Sequence, residues 1–165
     1  MRVDELVGLG RLPHEPPLTG LRPSDLAAVD GAIERVGLGS LRHRDARSLS
    51  MGERQLAFIA LAVAQAAPIL ILDEPTAHLD IRHQVEVMEL LTDLNERDGT
   101  TVLVVLHDLA LAAHFFPRVV VLSGGRIVAD GPPGVALDPG TIARVWGVRG
   151  EWLGPPGARA FSVTL

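Results

Sequence analysis

Two carboxylates stand side by side at the end of a short apolar run, where residues 69–72 (ILIL) precede Asp73 and Glu74. A uniformly apolar run of this length predicts a strand of a parallel sheet that is buried on both faces. The C-terminal edge of such a sheet is where α/β proteins bind their ligands. There Asp73 could hold Mg²⁺, largely through water, because this cation takes oxygen ligands and keeps several waters. Glu74 could act as the general base on an attacking water.

A structural role for the same two carboxylates is the alternative, since a strand end can also use them for helix caps and salt bridges. That alternative would be reasonable for an apolar run followed by Asp-Glu alone. Here the pattern continues as Pro75, Thr76 and then AHLD at 77–80. The longer pattern favours the catalytic interpretation.

Residues 49–53 (LSMGE) combine a serine and a glycine with the predicted start of a helix. The hydroxyl of Ser50 and the first backbone N–H groups of the helix, including that of Gly52, could bind an anion, because these N–H groups are unpaired and the dipole is positive there. The alternative is an ordinary N-cap by Ser50, with Glu53 completing a capping box. Both roles can hold together, because they use the same end of the helix.

His107 follows a second apolar run, 101–106 (TVLVVL). We expect this run to be a neighbouring parallel strand, which would bring His107 to the same sheet edge as Asp73 and Glu74. From there its imidazole could contact a phosphate and the attacking water. The other five histidines lack an accompanying set of ligands that would predict a metal site.

Composition limits the class of protein. With 165 residues, 47% hydrophobic and 21% charged, the chain is expected to be a single soluble, globular domain. Its apolar runs are too short to cross a bilayer, and its N-terminus does not resemble a signal peptide. The net charge of −5 argues against a nucleic-acid partner. The absence of cysteine excludes disulfides, thiol catalysis and cysteine–zinc sites.

The hydrophobic periodicity predicts an α/β fold with a parallel sheet. Residues 11–23 are rich in proline and are expected to form an extended connection. Ser24 is predicted to cap the first helix, with Leu26, Val29, Ile33 and Val36 on its buried face. Helices are predicted at 24–37, 52–67, 82–97, 108–115 and 140–147. In the helix at 82–97, Val85, Met88 and Leu91 are expected on one side, and Gly99 at the C′ position. Residues 118–122 and 126–129 are predicted to form a hairpin, Pro132-Pro133 a turn, and 161–165 a final strand.

Three segments in this order, LSMGERQ, ILILDEPTAHLD and TVLVVLHD, resemble the signature, Walker B, D-loop and switch-histidine motifs of ATP-binding-cassette (ABC) ATPases. The resemblance covers nearly the whole chain. Within this superfamily, four stretches, two of which overlap the motifs above, are similar to the ATPase subunits of iron–siderophore, haem and cobalamin importers: 3–14, 73–84, 105–115 and 124–133.

The resemblance implies an incomplete P-loop NTPase-like fold and a set of roles. Residues 1–48 would form the helical subdomain facing a membrane permease, 49–67 the signature and its helix, 68–130 the catalytic core and 131–165 a C-terminal extension. Two subunits would enclose ATP and Mg²⁺ between them, at the cytoplasmic face of the plasma membrane. Ser50, Gly52 and Glu53 would serve the partner's ATP, Asp73, Glu74 and His107 their own subunit's ATP, and Asp80 would line the dimer seam.

The chain departs from the family pattern in three ways. Met51 replaces the first glycine of the signature pair, and Glu53 replaces glutamine. Third, the family's phosphate loop, first sheet strands and glutamine loop have no counterpart in this sequence. The phosphate loop ends in Gly-Lys-Ser/Thr, and all 15 basic residues here are arginine. We therefore expect this chain alone to be inactive as an ATPase.

Two functional hypotheses remain open at this point. In the first, the complete gene product is the ATPase of a metal-chelate importer and an upstream segment supplies the phosphate loop. In the second, the chain is a catalytically incompetent fragment that binds a permease or lends its signature to a complete partner. A DNA-repair or structural-maintenance ATPase is disfavoured, because no coiled-coil heptads precede the signature.

Overall fold

The computed structural model describes residues 1–14, 20–154 and 160–164. The chain divides into two compact units, Met1–Val105 and Leu106–Leu165. Among the described residues, no helix has both the length and the apolar character needed to cross a membrane.

The first unit begins with three helices that pack against one another, α1 (Val3–Gly8), α2 (Pro23–Arg35) and α3 (Met51–Ala64). Short 3₁₀ turns at Leu9–His14, Gly39–Leu41 and Ala46–Ser48 connect them. Each helix contributes apolar side chains that are almost fully buried, among them Val3, Val7, Val29, Ile33, Ala57, Ile59 and Ala60. This burial holds the three helices together as one layer.

The start of α2 differs from the prediction. Arg22 is the N-cap and Pro23 occupies the first turn, so Ser24 lies inside the helix. Proline is favoured there because its missing N–H would have no intrahelical partner, and the Asp25 carboxylate instead accepts a hydrogen bond from the backbone of Arg22 at 3.1 Å. Of the predicted buried face, Val29, Ile33 and Val36 are buried, whereas Leu26 is 50% exposed.

The predicted extended connection is also partly wrong. Residues 11–14 belong to the 3₁₀ turn Leu9–His14. There Arg11 donates to the carbonyl of Ala64, which is the last residue of α3. Residues 15–19 of that connection lie outside the described residues.

A parallel pair of strands follows, β1 (Ile69–Asp73) and β2 (Thr101–Val105), joined through helix α4 (Ile81–Glu96). The pair confirms the predicted parallel arrangement, and α4 packs against β2. Burial on both faces was predicted and is wrong for this chain: Ile69, Ile71, Leu103 and Val105 are exposed, Ile71 by 66%. Leu70, which points to the other face of the pair, is buried. No second layer covers the exposed face in the part of the chain that the structure describes.

The boundaries of α3 and α4 are close to those predicted. Ser50 caps α3 as expected, and α3 ends at Ala64. Helix α4 buries Met88 and Leu91 as predicted, but its buried side also includes Val87, Leu90 and Leu94. Its C-cap is Arg97. Gly99, with φ of +69°, is therefore at the C″ position and not at the predicted C′ position.

The second unit contains α5 (Leu109–Phe115), β3 (Val119–Ser123), β4 (Arg126–Gly131), α6 (Pro133–Ala136), α7 (Pro139–Trp146), β5 (Arg149–Leu153) and β6 (Ala160–Thr164). The predicted hairpin is confirmed as β3–β4, and Gly124 and Gly125 adopt positive φ in its turn. Such angles suit glycine because it has no Cβ. The predicted turn at Pro132-Pro133 instead opens α6.

The last strand pairs with β5, which the sequence did not predict. The predicted strand at 161–165 is observed as β6, which begins one residue earlier, and Leu165 lies outside the described residues. A small core of Val121, Ala136, Leu137, Ile142 and Phe161 holds the second unit together.

Candidate functional site

The signature residues form the first turn of α3. The hydroxyl oxygen of Ser50 accepts a hydrogen bond from the backbone N–H of Glu53 at 3.2 Å. The Glu53 carboxylate accepts one from the backbone N–H of Ser50 at 2.7 Å, and this bond is the main reason why the pKa of Glu53 lies below its usual value. The predicted capping box is therefore present. The Ser50 hydroxyl can still donate its proton to an anion.

The D-loop, residues 77–80 (AHLD), lies against this same turn. A Cβ built on Gly52 would stand 3.4 Å from Leu79 Cδ2 and 3.6 Å from the His78 carbonyl oxygen. These are ordinary contact distances, so the backbone of α3 and the D-loop are direct neighbours at Gly52. Met51, at the position of the family's first signature glycine, is 62% exposed.

One groove of about 830 Å³ collects the predicted binding residues of this unit. Its walls include the signature residues Ser50, Gly52 and Glu53. Asp80 joins them from the D-loop, and His83 from the first turn of α4. The structure thus brings together Ser50, Gly52, Glu53 and Asp80 in one groove.

Asp80 has its own local role as the N-cap of α4. Its Oδ1 atom accepts a hydrogen bond from the backbone N–H of His83 at 2.9 Å and lies 2.8 Å from His83 Nδ1. The backbone hydrogen bond from His83 is the main cause of a lowered pKa for Asp80. Asp80 is therefore a carboxylate of fixed orientation at the edge of the groove.

The predicted catalytic carboxylates end strand β1. Asp73 is its last residue, in register with Val105 of β2, and both Asp73 and Glu74 are exposed. Glu74 adopts a left-handed backbone with φ of +47°, which is uncommon for a residue with a side chain. Its N–H donates to the Val105 carbonyl, and its own carbonyl accepts from Ala77 N–H, both at 3.0 Å.

Two glutamines hold the segment after Glu74, and the sequence analysis did not single them out. Gln55 of α3 donates from Nε2 to the Pro75 carbonyl at 3.3 Å. Gln84 of α4 donates from Nε2 to the Leu79 carbonyl at 3.2 Å and reaches the Thr76 carbonyl at 3.5 Å. Both stand inside the quoted motifs, but the partner of Gln55 lies 20 residues away and cannot be read from helical periodicity.

The donor chemistry at the end of β1 suits Mg²⁺. Two adjacent exposed carboxylates, Asp73 and Glu74, supply hard oxygen ligands, and Mg²⁺ usually takes one or two carboxylates together with phosphate oxygens and water. In the described residues, no group of three or more His, Cys, Asp or Glu side chains could hold a metal by itself. Asp73 and Glu74 therefore fit a Mg²⁺ ion that is also bound by a phosphate ligand.

His107 belongs to the second unit, two residues after β2 ends at Val105. It lines a cleft of about 500 Å³ together with Asp108, Trp146 and Phe161. Asp108 fixes the backbone beside it, because its carboxylate accepts hydrogen bonds from Ala110 and Leu111 N–H at 2.8 and 2.9 Å and so caps α5. The predicted role of His107 toward the carboxylates of the first unit stays a prediction.

Comparison with known proteins identifies the family. Residues 4–113 match the family model described as "AAA domain, putative AbiEii toxin, Type IV TA system". The ferric enterobactin transport ATP-binding protein of Escherichia coli K12 is 42% identical over 147 residues, which are 89% of this chain and 54% of that protein. The iron(3+)-hydroxamate import ATP-binding protein of Bacillus subtilis is 36% identical over 94% of this chain and 58% of its own length. The cobalamin import ATP-binding protein of Halobacterium salinarum (strain R1) is 40% identical over 98% of this chain and 40% of its own length.

Solved structures show the same fold. The dimeric bacterial ABC transporter cassette MJ0796 aligns with a TM-score of 0.72 and 28% identity over 81% of this chain and 57% of that one. A structure described as "an inward-facing conformation of a putative metal-chelate type ABC transporter" aligns with a TM-score of 0.87 over 99% of this chain and 66% of that one, at 24% identity, and so supports the fold alone. The chain spans about half the length of the curated relatives it matches. The chain has the P-loop NTPase fold, matches the AAA-domain model over residues 4–113, and belongs to the ABC-type ATPases, among which it is similar to ATP-binding proteins of siderophore and cobalamin import.

Proposed function

We propose that these residues are part of the ATP-hydrolysing subunit of an ABC importer for iron–siderophore or cobalamin-type metal chelates. The observation that carries the proposal is the groove in which the signature turn and the D-loop meet around Ser50, Gly52 and Asp80. The relatives named for ferric enterobactin, iron(3+)-hydroxamate and cobalamin transport support the class of substrate.

In this proposal the first unit serves two different nucleotides. Ser50, Gly52 and Glu53 face the ATP of a second ATPase subunit, and Asp80 lines the seam of the dimer. An anion is favoured at the start of α3 by the helix dipole and by the N–H groups of the first turn. The dimeric MJ0796 cassette, which shares this fold, supports a paired arrangement.

The carboxylates serve the subunit's own nucleotide. Asp73 would hold Mg²⁺, which would supply charge neutralisation for the phosphates. Glu74 polarises the attacking water and accepts its proton, and His107 contacts the γ-phosphate. Residues 1–48 form the helical subdomain facing the permease, 68–130 belong to the catalytic core, and the subunit works at the cytoplasmic face of the membrane.

A second candidate function is also compatible with the groove around Ser50. In that case the chain acts as a binding module that lends its signature to a complete partner or docks on a permease. It requires the groove around Ser50 but not the catalysis by Glu74.

Reconstitution tests the proposal. A completed subunit is made by joining a phosphate-loop segment of this ATPase family ahead of Met1, and its Mg-ATP hydrolysis is measured with and without Glu74→Gln. We expect sustained hydrolysis that the substitution removes. Hydrolysis that is the same in both proteins would contradict the catalytic assignment. Stimulation of a separate ATPase by the unextended chain, with no activity of the completed subunit, would favour the binding module.

A further inference from the structure

The backbone of Glu74 is held in a conformation that its residue type disfavours. A left-handed φ of +47° at a residue with a Cβ persists only where the surrounding structure fixes it. Two backbone hydrogen bonds fix the peptide groups of Glu74 itself, one to Val105 and one from Ala77. The neighbouring residues Pro75 and Thr76 are buried, so their carbonyls must find partners within the protein.

Those partners are the two glutamine side chains. Gln55 donates to the Pro75 carbonyl, and Gln84 donates to the carbonyls of Leu79 and Thr76. Both side chains are half-buried and come from different helices, α3 and α4. A glutamine amide suits this task, because it donates two hydrogens at the end of a chain long enough to reach across a helix–loop contact, whereas a carboxylate could not donate at all.

We propose that Gln55 and Gln84 are positioning residues that hold the turn after strand β1 and thereby fix the direction in which the Glu74 carboxylate leaves the backbone. This inference rests on the proposed function, in which Glu74 is the general base. The two glutamines form a brace, defined as the side-chain hydrogen bonds of Gln55 and Gln84 to residues 75–79. Because Gln55 follows Ser50 on the same helix, the brace also joins the signature helix to the catalytic turn.

The consequence for catalysis is geometric. A general base must lie within hydrogen-bond reach of the proton that it removes, so a small rotation of its backbone reduces the rate of proton transfer. Loss of the brace should therefore lower the turnover number while leaving ATP affinity nearly unchanged, since neither glutamine is placed in the nucleotide groove.

Hydrogen exchange in the 165-residue chain tests the brace directly. Gln55→Met and Gln84→Met remove the donor but keep an unbranched side chain of similar length. We expect the amides of Ala77 and Glu74 to exchange about threefold to tenfold faster in each variant, because at least one hydrogen bond is lost and a buried carbonyl is left without a partner. Gln65→Met is the matched control, as Gln65 follows the end of α3 and is exposed.

Amides elsewhere in the first unit that exchange through local openings, during which the brace stays intact, should be unchanged in all three variants. Unaltered exchange at Ala77 and Glu74 in both brace variants would overturn the inference. Exchange that is equally faster at these distant, locally opening amides would also overturn it, since the effect would then not be specific to this turn.

The completed subunit gives the catalytic readout. We expect Gln55→Met to lower kcat at least fivefold with KM for ATP changed less than twofold, and Gln65→Met to change neither. Faster exchange at the turn with an unchanged kcat would show that the brace exists but positions nothing. An unmutated completed subunit without ATPase activity would count against the proposed function, whereas the exchange result decides the brace independently.

Discussion

Ser50 and Glu53 close the first turn of α3 with two reciprocal hydrogen bonds, at 3.2 Å from Glu53 N–H to the Ser50 hydroxyl and at 2.7 Å from Ser50 N–H to the Glu53 carboxylate. The hydroxyl that caps the helix is also the one proposed to contact a phosphate. A simple alanine substitution would remove both functions together and could not separate them.

Substitution of Ser50 by aspartate separates the two functions. Aspartate caps helices about as well as serine. Ser50→Asp should therefore leave the free energy of unfolding nearly unchanged, whereas Ser50→Ala should lower it by about 0.5–2 kcal/mol. In the completed subunit the new carboxylate repels phosphate, and we expect turnover to fall at least tenfold. Ser50→Thr is the control that retains both the cap and the hydroxyl. Full turnover in Ser50→Asp would exclude contact with an anion.

The Ser50→Asp defect should arise across the dimer. Mixing this variant with a phosphate-loop variant of the completed subunit should restore part of the turnover, because one intact composite site then forms. An equal loss in the mixture and in each variant alone would contradict action on the partner's nucleotide.

Glu74→Gln in the completed subunit should abolish turnover and leave ATP binding nearly intact. The amide has the shape of the carboxylate but cannot act as a base, and loss of a positioned base typically reduces the rate by about 10²–10⁴. Steady-state hydrolysis together with equilibrium binding of ATP checks this. Glu89→Gln, an exposed glutamate on α4, is the matched control and should behave as the unmodified protein.

Local patterns in the sequence were sufficient for much of the fold and part of the site. The Ser50 cap and the Gly124-Gly125 hairpin follow from local chemistry within a few residues. The parallel pairing of the two apolar strands follows from the strand–helix–strand order of the sequence. The meeting of the signature turn with the D-loop required the tertiary structure, although the order of the motifs suggested it.

The features that the sequence did not reveal depend on distant partners. Strand β5 carries charged residues and a glycine (RGEWL), so only its pairing with β6 identifies it. The exposure of Leu26 depends on which side chains of the other helices pack against α2. The exposure of Ile71 and Leu103 on the β1–β2 pair depends on whether a second layer covers that face. In the glutamine brace, Gln55 and Pro75 are 20 residues apart, and their contact follows no periodic pattern.

The three-helix layer provides a test of the core. Ile33→Ala, at a fully buried position on α2, should lower the free energy of unfolding by about 2–5 kcal/mol, since it removes buried methylenes and leaves a cavity. Leu26→Ala on the same helix, where the side chain is half exposed, should cost less than about 1 kcal/mol. Urea unfolding of both variants compares them under the same conditions. Equal losses would show that α2 packs through a different face.

Asp45 provides a test of pH dependence. The side-chain hydrogen bond from Arg47, with help from the Arg47 backbone N–H, lowers the pKa of Asp45 from 3.8 to about 2. Because the folded pKa is below the unfolded value, the stabilisation is fully present above pH 3.8 and is lost as the pH falls through about 2. Asp45→Asn should therefore lower Tm at pH 6, and this difference should become small as the pH approaches 2. A difference in Tm that is constant from pH 6 to pH 2 would contradict this linkage.

The unextended chain should neither bind ATP tightly nor hydrolyse it. A nest of backbone N–H groups and a lysine normally receive the β- and γ-phosphates in this family, and the sequence of this chain has no lysine. Asp73 and Glu74 would then oppose an anionic ligand instead of sharing a metal with it. The exposed face of the β1–β2 pair, which includes Ile71 and Leu103, should also favour aggregation or association with a partner, because parallel sheets are normally covered on both faces.

Calorimetry of the purified 165-residue chain with Mg-ATP decides this prediction. We expect no binding in the micromolar range and no sustained hydrolysis, and the completed subunit serves as the positive control in the same buffer. Ile71→Thr should make the chain less prone to aggregate without changing the result with ATP. This variant separates the effect of the exposed apolar face of the β1–β2 pair from the effect of lacking a phosphate loop. Micromolar binding, or hydrolysis that disappears in Glu74→Gln, would show that residues of this chain replace the phosphate loop.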